Sequence, residues 1–462
     1  MKKVFYKEAK RMKSSRSQYE RMTQESIPRL IAALSVPTIL SMLVTNIYNL
    51  VDTAFVGRLG TSQSGAVGVI FGFMSVIQAV GFMFGQGSGS IAARLLGSRD
   101  PETASRVATA GVAGSVSLGL LISLISAPLM DPIVRLLGST DTIAPHAKSY
   151  LTYILIAAPF MTGSYTLNNL LRYQGKANLG MIGLMAGAVL NIALDPFLMF
   201  TLDLGIAGAA VATGASQIIS FGILLSMFLR GKTELRLDLR HMDARPSAFG
   251  NIMATGLPSM LRQVLNSFAT ILLNGYASAY GDEAVAAMSI VSRISFFVFA
   301  LSLGIGQGFQ PVSAFNYGAG KYTRLRRAFW VTVLISESVI LVTSMTCLAL
   351  SGRLIQVFRD DPAVIEIGTR ALQLQMVTIL FLPFTMSTEM LYQSTGHRLG
   401  ASFLSSARSG LFFIPALILL ANLRGLNGIQ EAQPAAYLLS VPLSLFFILL
   451  FMKKLPKQDR EA

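Results

Sequence analysis

The sequence predicts an all-α integral membrane protein: twelve transmembrane helices in two six-helix lobes related by a pseudo-twofold axis. Three observations predict it. The 462 residues are 52% hydrophobic and only 13% charged, with a mean hydropathy of +0.57, whereas soluble domains carry roughly a quarter of charged residues. Apolar windows of about 20 residues, the length that crosses a bilayer as helix, recur along the whole chain. The chain also repeats itself: Gly85-Gln86-Gly87 returns as Gly306-Gln307-Gly308. One offset, 258 − 37 = 221, further superimposes Pro37 on Pro258, Gly60 on Gly281 and Gly97 on Gly318 without a gap.

The expected spans cover approximately residues 30–56, 64–93, 104–128, 149–171, 178–201, 204–229, 249–277, 284–308, 326–350, 370–394, 400–421 and 434–452. An even number on each side of the basic, proline-containing segment 231–248 keeps both lobes in one orientation, which requires an axis along the membrane normal and a substrate path between the halves. The expected organisation is a cytoplasmic basic tail (1–29), an N-terminal lobe (30–230), a cytoplasmic linker (231–248), a C-terminal lobe (249–452) and a cytoplasmic tail (453–462). Later landmarks agree: Gly175 matches Gly396, and Gly205-Ile-Ala-Gly208 resembles Gly425-Leu-Asn-Gly428 with a shift of one. Pro37, Pro258, Pro159 and Pro383 fall inside spans, where each frees a carbonyl and bends its helix.

The net charge of +15 sits in loops. Lys2, Lys3, Lys7, Lys10, Arg11, Lys13, Arg16 and Arg21 crowd the N-terminal tail, and Arg230, Lys232, Arg236, Arg240 and Arg245 the linker. Further groups run from Lys321 to Arg327 and from Lys453 to Arg460. All of them follow an even number of spans, so the positive-inside rule puts them and both termini in the cytoplasm. The opposite loops carry Asp131, Asp141, Asp203, Asp282, Glu283, Asp360 and Asp361. No basic stripe with interleaved aromatics points to nucleic acid. Residues 1–28 are too charged to contain the apolar core of a secretory signal. The single cysteine, Cys347, excludes an intramolecular disulfide and a thiolate metal cluster. His146, His241 and His397 lie in or near loops, so neither a metal-ligand cluster nor a Ser/His pair suggests an enzyme.

Charges inside a bilayer are costly and by default mark function. Asp52 lies near the end of the first span, Asp195 near the end of the fifth, and Thr213 in the first turns of the sixth. Tyr48 and Asp52 are i and i+4, as are Asn191 and Asp195, so each pair shares a helix face. Two carboxylates with amide, hydroxyl and phenol oxygens suit a hard cation, including Na⁺ at Asp52, Asn191, Asp195 and Thr213, or a shared proton. The plainer alternative has Asp52 reaching the interface and Asp195-Pro196 forming a local kink. At the repeat offset Leu273 and Ala416 replace the two acids, so an ion site belongs to the N-terminal lobe. The C-terminal lobe carries Arg262, Arg293, Glu337, Glu389 and Arg408, a mixture that suggests internal ion pairs. The alternative is that Glu337 or Glu389 faces a cavity, in which Gln307 is a further candidate. The 21 methionines, several of them within spans, suit a surface that repacks around different ligands.

Taken together, Pro37, the run from Asn49-Leu-Val-Asp52 to Gly57-Arg-Leu-Gly60, the paired Gly-Gln-Gly segments, Asn191-Ile-Ala-Leu-Asp195-Pro196 and Pro311-Val-Ser-Ala-Phe-Asn316-Tyr-Gly318 resemble the multidrug and toxic compound extrusion (MATE) family. The resemblance covers the chain after its tail. It implies a V-shaped antiporter that exports drugs or amphiphilic, often cationic, compounds against inward flow of H⁺ or Na⁺. It also implies that Asp52, Tyr48, Asn191, Asp195 and Thr213 form the coupling site. Branches with a carboxylate in the seventh helix are not matched, because that span has no Asp or Glu. The expected protein is a monomer in the plasma membrane of a prokaryote, without a cofactor beyond its coupling ion. The rival reading is a flippase of lipids or lipid-linked oligosaccharides, whose pyrophosphate Arg262, Arg293 and Arg408 would meet. A passive channel would need a repeated pore loop, which the sequence lacks.

Overall fold

The computed structural model describes residues 18–460, so the tail residues Lys2 to Arg16 lie outside the described part. Among the described residues regular structure is entirely helical. The first half contains α1 (Ile27–Gly57), α2 (Thr61–Gly97), α3 (Pro101–Ser126), a short α4 (Met130–Leu136), α5 (Ala144–Tyr173), α6 (Ala177–Pro196) and α7 (Gly205–Leu229). The second contains α8 (Pro246–Ser278), α9 (Asp282–Gly318), α10 (Tyr322–Ala349), a short α11 (Ser351–Phe358), and α12 (Pro362–Thr378) continued by α13 (Leu382–Ser394). It ends with α14 (Arg398–Ser406), continued by α15 (Phe413–Arg424), and α16 (Leu426–Lys454). Ten of the helical segments are long and apolar enough to cross a membrane. The more polar α5 and α8, at 30 and 33 residues, complete six in each half.

The repeat is visible element by element. Helices α2 and α9 both have 37 residues and start and stop one offset apart (282 − 61 = 221; 318 − 97 = 221). At 1.5 Å per residue each is about 55 Å long, well beyond a hydrocarbon core of about 30 Å. Gly60 and Gly281 precede them with φ of +138° and +96°, a backbone region open chiefly to glycine. The short α4 and α11 also correspond (351 − 130 = 221). They lack the length to register as spans and escape a reading based on apolar windows. The last span begins at Leu426 instead of 434: Pro434 lies inside the helix, and the polar first turns hold Glu431, which pairs with Arg424 at 2.5 Å.

The compact units do not follow the linear halves. One comprises Leu40–Met260 with the described residues up to Met22; the other comprises Thr23–Ile39 with the chain from Leu261 onward. The start of α1, Ile27–Ile39, is therefore part of the second unit, and the start of α8, Pro246–Met260, part of the first. Both breaks come two residues after a repeat-related proline, Pro37 and Pro258. The Gly-Gln-Gly segments explain how these helix starts are accommodated. In the first unit a Cβ on Gly87 would meet the Ile252 carbonyl and the Gly256 amide, while one on Gly256 would meet the backbone of Met83. In the second unit Gly308 and Gly304 lie equally close to Ser35 and Ile39 of α1. The other glycine of each triplet meets the fourth long helix of its own half, at Asn169 for Gly85 and at the repeat-related Met390 for Gly306. Small residues let helix backbones approach this closely.

Pro159 removes an amide from the middle of α5 and frees the carbonyl of Leu155. The Ser123 hydroxyl donates to that carbonyl at 2.5 Å. Ser344 makes the repeat-related bond to the Met376 carbonyl, but here the helix itself yields, through a tight turn at Ile379–Phe381 before Pro383. The linker is bound to the first unit. Gln174 Oε1 accepts from the amides of Glu234 and Leu235 at 2.9 and 3.1 Å, and Ser105 accepts from the Arg236 amide at 3.0 Å. In the second unit Arg326, one offset from Ser105, donates to the carbonyls of Leu455 and Pro456 at 2.8 and 3.1 Å.

Candidate ion site and a second polar cavity

The polar residues singled out in the first half converge. Asp195 is fully buried, and Asn191, Thr213, Tyr48 and Asp52 are all at least nine-tenths buried. The shared face of Asn191 and Asp195 is realised as a hydrogen bond, Asn191 Nδ2 donating to Asp195 Oδ1 at 3.2 Å. The same amide reaches Thr213 Oγ1 on α7 at 3.4 Å. Asp52 and Asp195 lie within each other's electrostatic influence, as Tyr48 does with both. Three acceptor oxygens here are buried without a hydrogen-bond partner: Asp52 Oδ1, Asn191 Oδ1 and Asp195 Oδ2. Orphaned acceptors are costly in a low-dielectric interior and call for a donor or a cation. A proton carried by either carboxyl, or one Na⁺ among these oxygens, meets that need. Among the described residues no group of three or more His, Cys, Asp or Glu could hold a metal.

Two tyrosines join this site that sequence reasoning did not single out. Tyr150, buried on α5, hydrogen-bonds Thr213 and sits in the field of both aspartates. Tyr165 lines the adjoining cavity with Thr45, Tyr48, Asn191, Thr213 and Ser216. The available signal was their position in the one long helix of this half whose polar content lowers its hydropathy. A wide helical turn, Phe197–Thr201, follows Asp195-Pro196, and such turns are frequent at functional sites.

The repeat-related places in the second unit are apolar. Ala269, Leu273, Ala371 and Met386 stand where the first unit has Tyr48, Asp52, Tyr150 and Tyr165, and all four belong to one buried hydrophobic cluster. Ala416 is not the structural counterpart of Asp195. A wide turn at Ala407–Phe412 inserts a residue earlier in this helix, so the buried positions become Phe413 and Leu417.

The charges of the second half separate into three environments. Arg262 and Glu389 form a buried ion pair through Nη1 and Oε1. Arg293 is exposed, contrary to its expected burial, because its turn of α9 faces outward. Glu337 is half-buried, with Oε2 lacking a hydrogen-bond partner. Gln307 is buried between its glycines and is not among the residues lining the cavity beside Glu389. That cavity also holds Arg408, whose guanidinium lies 5.0 Å from the centre of the Phe299 ring.

Comparison with known proteins gives a consistent picture. The MatE family model matches residues 37–197 and 258–419, two segments that begin one repeat offset apart. The multidrug export protein MepA of Staphylococcus haemolyticus is 28% identical over 427 residues, covering 92% of this chain and 94% of its own. MepA of Staphylococcus aureus (strain NCTC 8325 / PS 47) is 28% identical over 397 residues, covering 86% and 87%. Among solved structures, an outward-facing multidrug resistance MATE family transporter superposes with a TM-score of 0.89 at 25% identity, covering 95% of this chain and 98% of the other. A MATE structure in the straight conformation gives 0.89 at 26% identity, covering 95% and 99%.

Proposed function

Because this chain belongs to the MatE family of multidrug and toxic compound extrusion transporters, we propose that it exports small organic compounds in exchange for inward movement of H⁺ or Na⁺, by alternating access. The observation that carries this reading is the set of three unpartnered acceptors on Asp52, Asn191 and Asp195. A buried site that lacks positive charge in its empty state binds a cation strongly enough to bias a conformational equilibrium. Uptake of the ion satisfies those acceptors and relieves the repulsion between the two carboxylates. Its release restores both costs, so ion occupancy and substrate occupancy each favour a different opening of the protein. Asn191 holds Asp195 and Thr213 in one geometry, and Tyr48 and Tyr150 close the site from α1 and α5. The distribution of basic loops supports cytoplasmic termini, with the ion site toward the outer end of its helices.

Efflux of an ethidium-type dye from proteoliposomes, with ΔpH and the sodium gradient imposed independently, tests the coupling. One gradient alone is expected to drive efflux. Asp52→Asn should abolish it while the protein stays monodisperse; undiminished gradient-driven efflux in that variant would sink the assignment.

A further inference from the structure

The start of α10 combines unbalanced positive charge with an apolar stripe open to lipid. Lys321, Arg324, Arg326 and Arg327 fall at its N-cap and in its first two turns, where the helix dipole favours negative charge. Arg326 is used internally, on the carbonyls of Leu455 and Pro456. Arg324 is half-buried; its Nη2 donates to the Glu25 carbonyl at 2.5 Å, and its Nε is buried without a partner. Arg327 lies one turn further on, exposed and within the electrostatic influence of Arg324. Among the described residues neither arginine forms an ion pair with a carboxylate. The Glu25 carboxylate reaches Arg324 only through its field, and Asp459 accepts from the Thr323 amide at 2.8 Å. Like charges one turn apart repel, and an orphaned donor is costly to bury. Trp330, the one tryptophan of the chain, follows Arg327 by three residues. With Leu334 and Leu341 it continues the same face, the three being 53%, 67% and 47% exposed on a helix long and apolar enough to cross a membrane. The first unit does not share this arrangement. One offset earlier (324 − 221 = 103; 327 − 221 = 106; 330 − 221 = 109) stand Thr103, Arg106 and Thr109; Arg106 is paired with Glu102 at 2.6 Å, and Thr109 is buried.

We propose that this face of the second unit binds one anionic phospholipid, its phosphate held by Arg324 and Arg327 and an acyl chain lying over Trp330, Leu334 and Leu341. Guanidinium groups take phosphate oxygens through paired N–H donors, and basic side chains beside a span attract anionic headgroups. Charge selects the headgroup class. The apolar stripe directly beyond the arginines selects a lipid over free phosphate. Tryptophan suits the boundary between headgroup and chain, because its apolar ring carries one polar N–H. The inference goes beyond the export reading and concerns a ligand that is not transported.

The single tryptophan makes the test direct. The purified full-length protein is reconstituted in phosphatidylcholine vesicles containing a small, fixed mole fraction of either phosphatidylglycerol or phosphatidylcholine brominated on its acyl chains, and quenching of Trp330 fluorescence is read. Brominated phosphatidylglycerol is expected to quench as though enriched about threefold or more over brominated phosphatidylcholine. The Arg324→Gln/Arg327→Gln protein should lose that preference, while brominated phosphatidylcholine quenches it as before and so reports that the helix is still inserted. Arg236→Gln/Arg240→Gln, which removes the same charge from the linker, should keep the preference. Should the first double variant fail to elute as a monodisperse species, Arg327→Gln alone, at an exposed position, should lose most of it. Four results would each overturn the proposal: equal quenching of the unaltered protein by the two lipids, a preference that survives in the folded arginine variants, an equal loss in the linker variant, or abolition by inorganic phosphate at an ionic strength where chloride has no effect. No ion gradient is imposed and both leaflets carry the probe lipid, so the outcome is independent of the coupling assignment and of the proposed orientation.

Discussion

At the scale of single residues, helical spacing builds the candidate site. Asn191 and Asp195 lie one turn apart, and that turn became a hydrogen bond; Tyr48 and Asp52 entered the same site from α1. Tyr150 and Tyr165 were not legible, because a tyrosine in a span reads equally well as an interface anchor or a core residue, and only the packing of α5 distinguishes these. Tyr150 gives the sharper prediction. Its hydroxyl fixes the Thr213 oxygen, and loss of one buried hydrogen bond costs about 0.5–1.5 kcal/mol. Tyr150→Phe should therefore raise the ion concentration for half-maximal exchange by about three- to tenfold and leave the maximal rate nearly unchanged. Sodium or proton titration of dye efflux in proteoliposomes measures both quantities.

At the scale of elements, the repeated glycines and prolines announced the duplication, but their jobs emerged only from packing. Gly87 and Gly256 bring α2 and α8 into backbone contact, and Gly308 does the same for α9 against α1. Gly87→Leu and Gly308→Leu should each destabilise the protein by about 1–3 kcal/mol, the usual cost of overpacking. A fall in the thermal midpoint of the purified variants measures it. Gly222→Ala is the control, since a Cβ there meets nothing within 4 Å. Ser123→Ala tests the proline-freed carbonyl of Leu155 and should cost about 1 kcal/mol by the same measurement. The wide turns of α6–α7 and α14–α15 had no sequence signature beyond a nearby proline, and the one at Ala407–Phe412 moved the counterpart of Asp195 from Ala416 to Leu417.

At the scale of the whole molecule, composition alone made the chain a multi-pass membrane protein, and the offset of 221 gave its two sets of six helices. The proposed orientation, argued from the basic loops, is open to a direct check. In a Cys347→Ala background, cysteine at position 238 should react with a membrane-impermeant maleimide only from the cytoplasmic face, and at position 360 only from the outside. What the linear halves concealed is that each unit borrows the start of the other half's first helix. A ribosome releases Thr23–Ile39 long before the remainder of the second unit, from Leu261 onward, exists, and the first unit remains incomplete until Pro246–Met260 has been made. Neither unit can then finish assembling while the chain is only half translated. The early segment must wait in the membrane without its native neighbours, a state in which chaperones and proteases could act on it. Genes for the two linear halves, cut at the linker, should accordingly give stable protein only when expressed together.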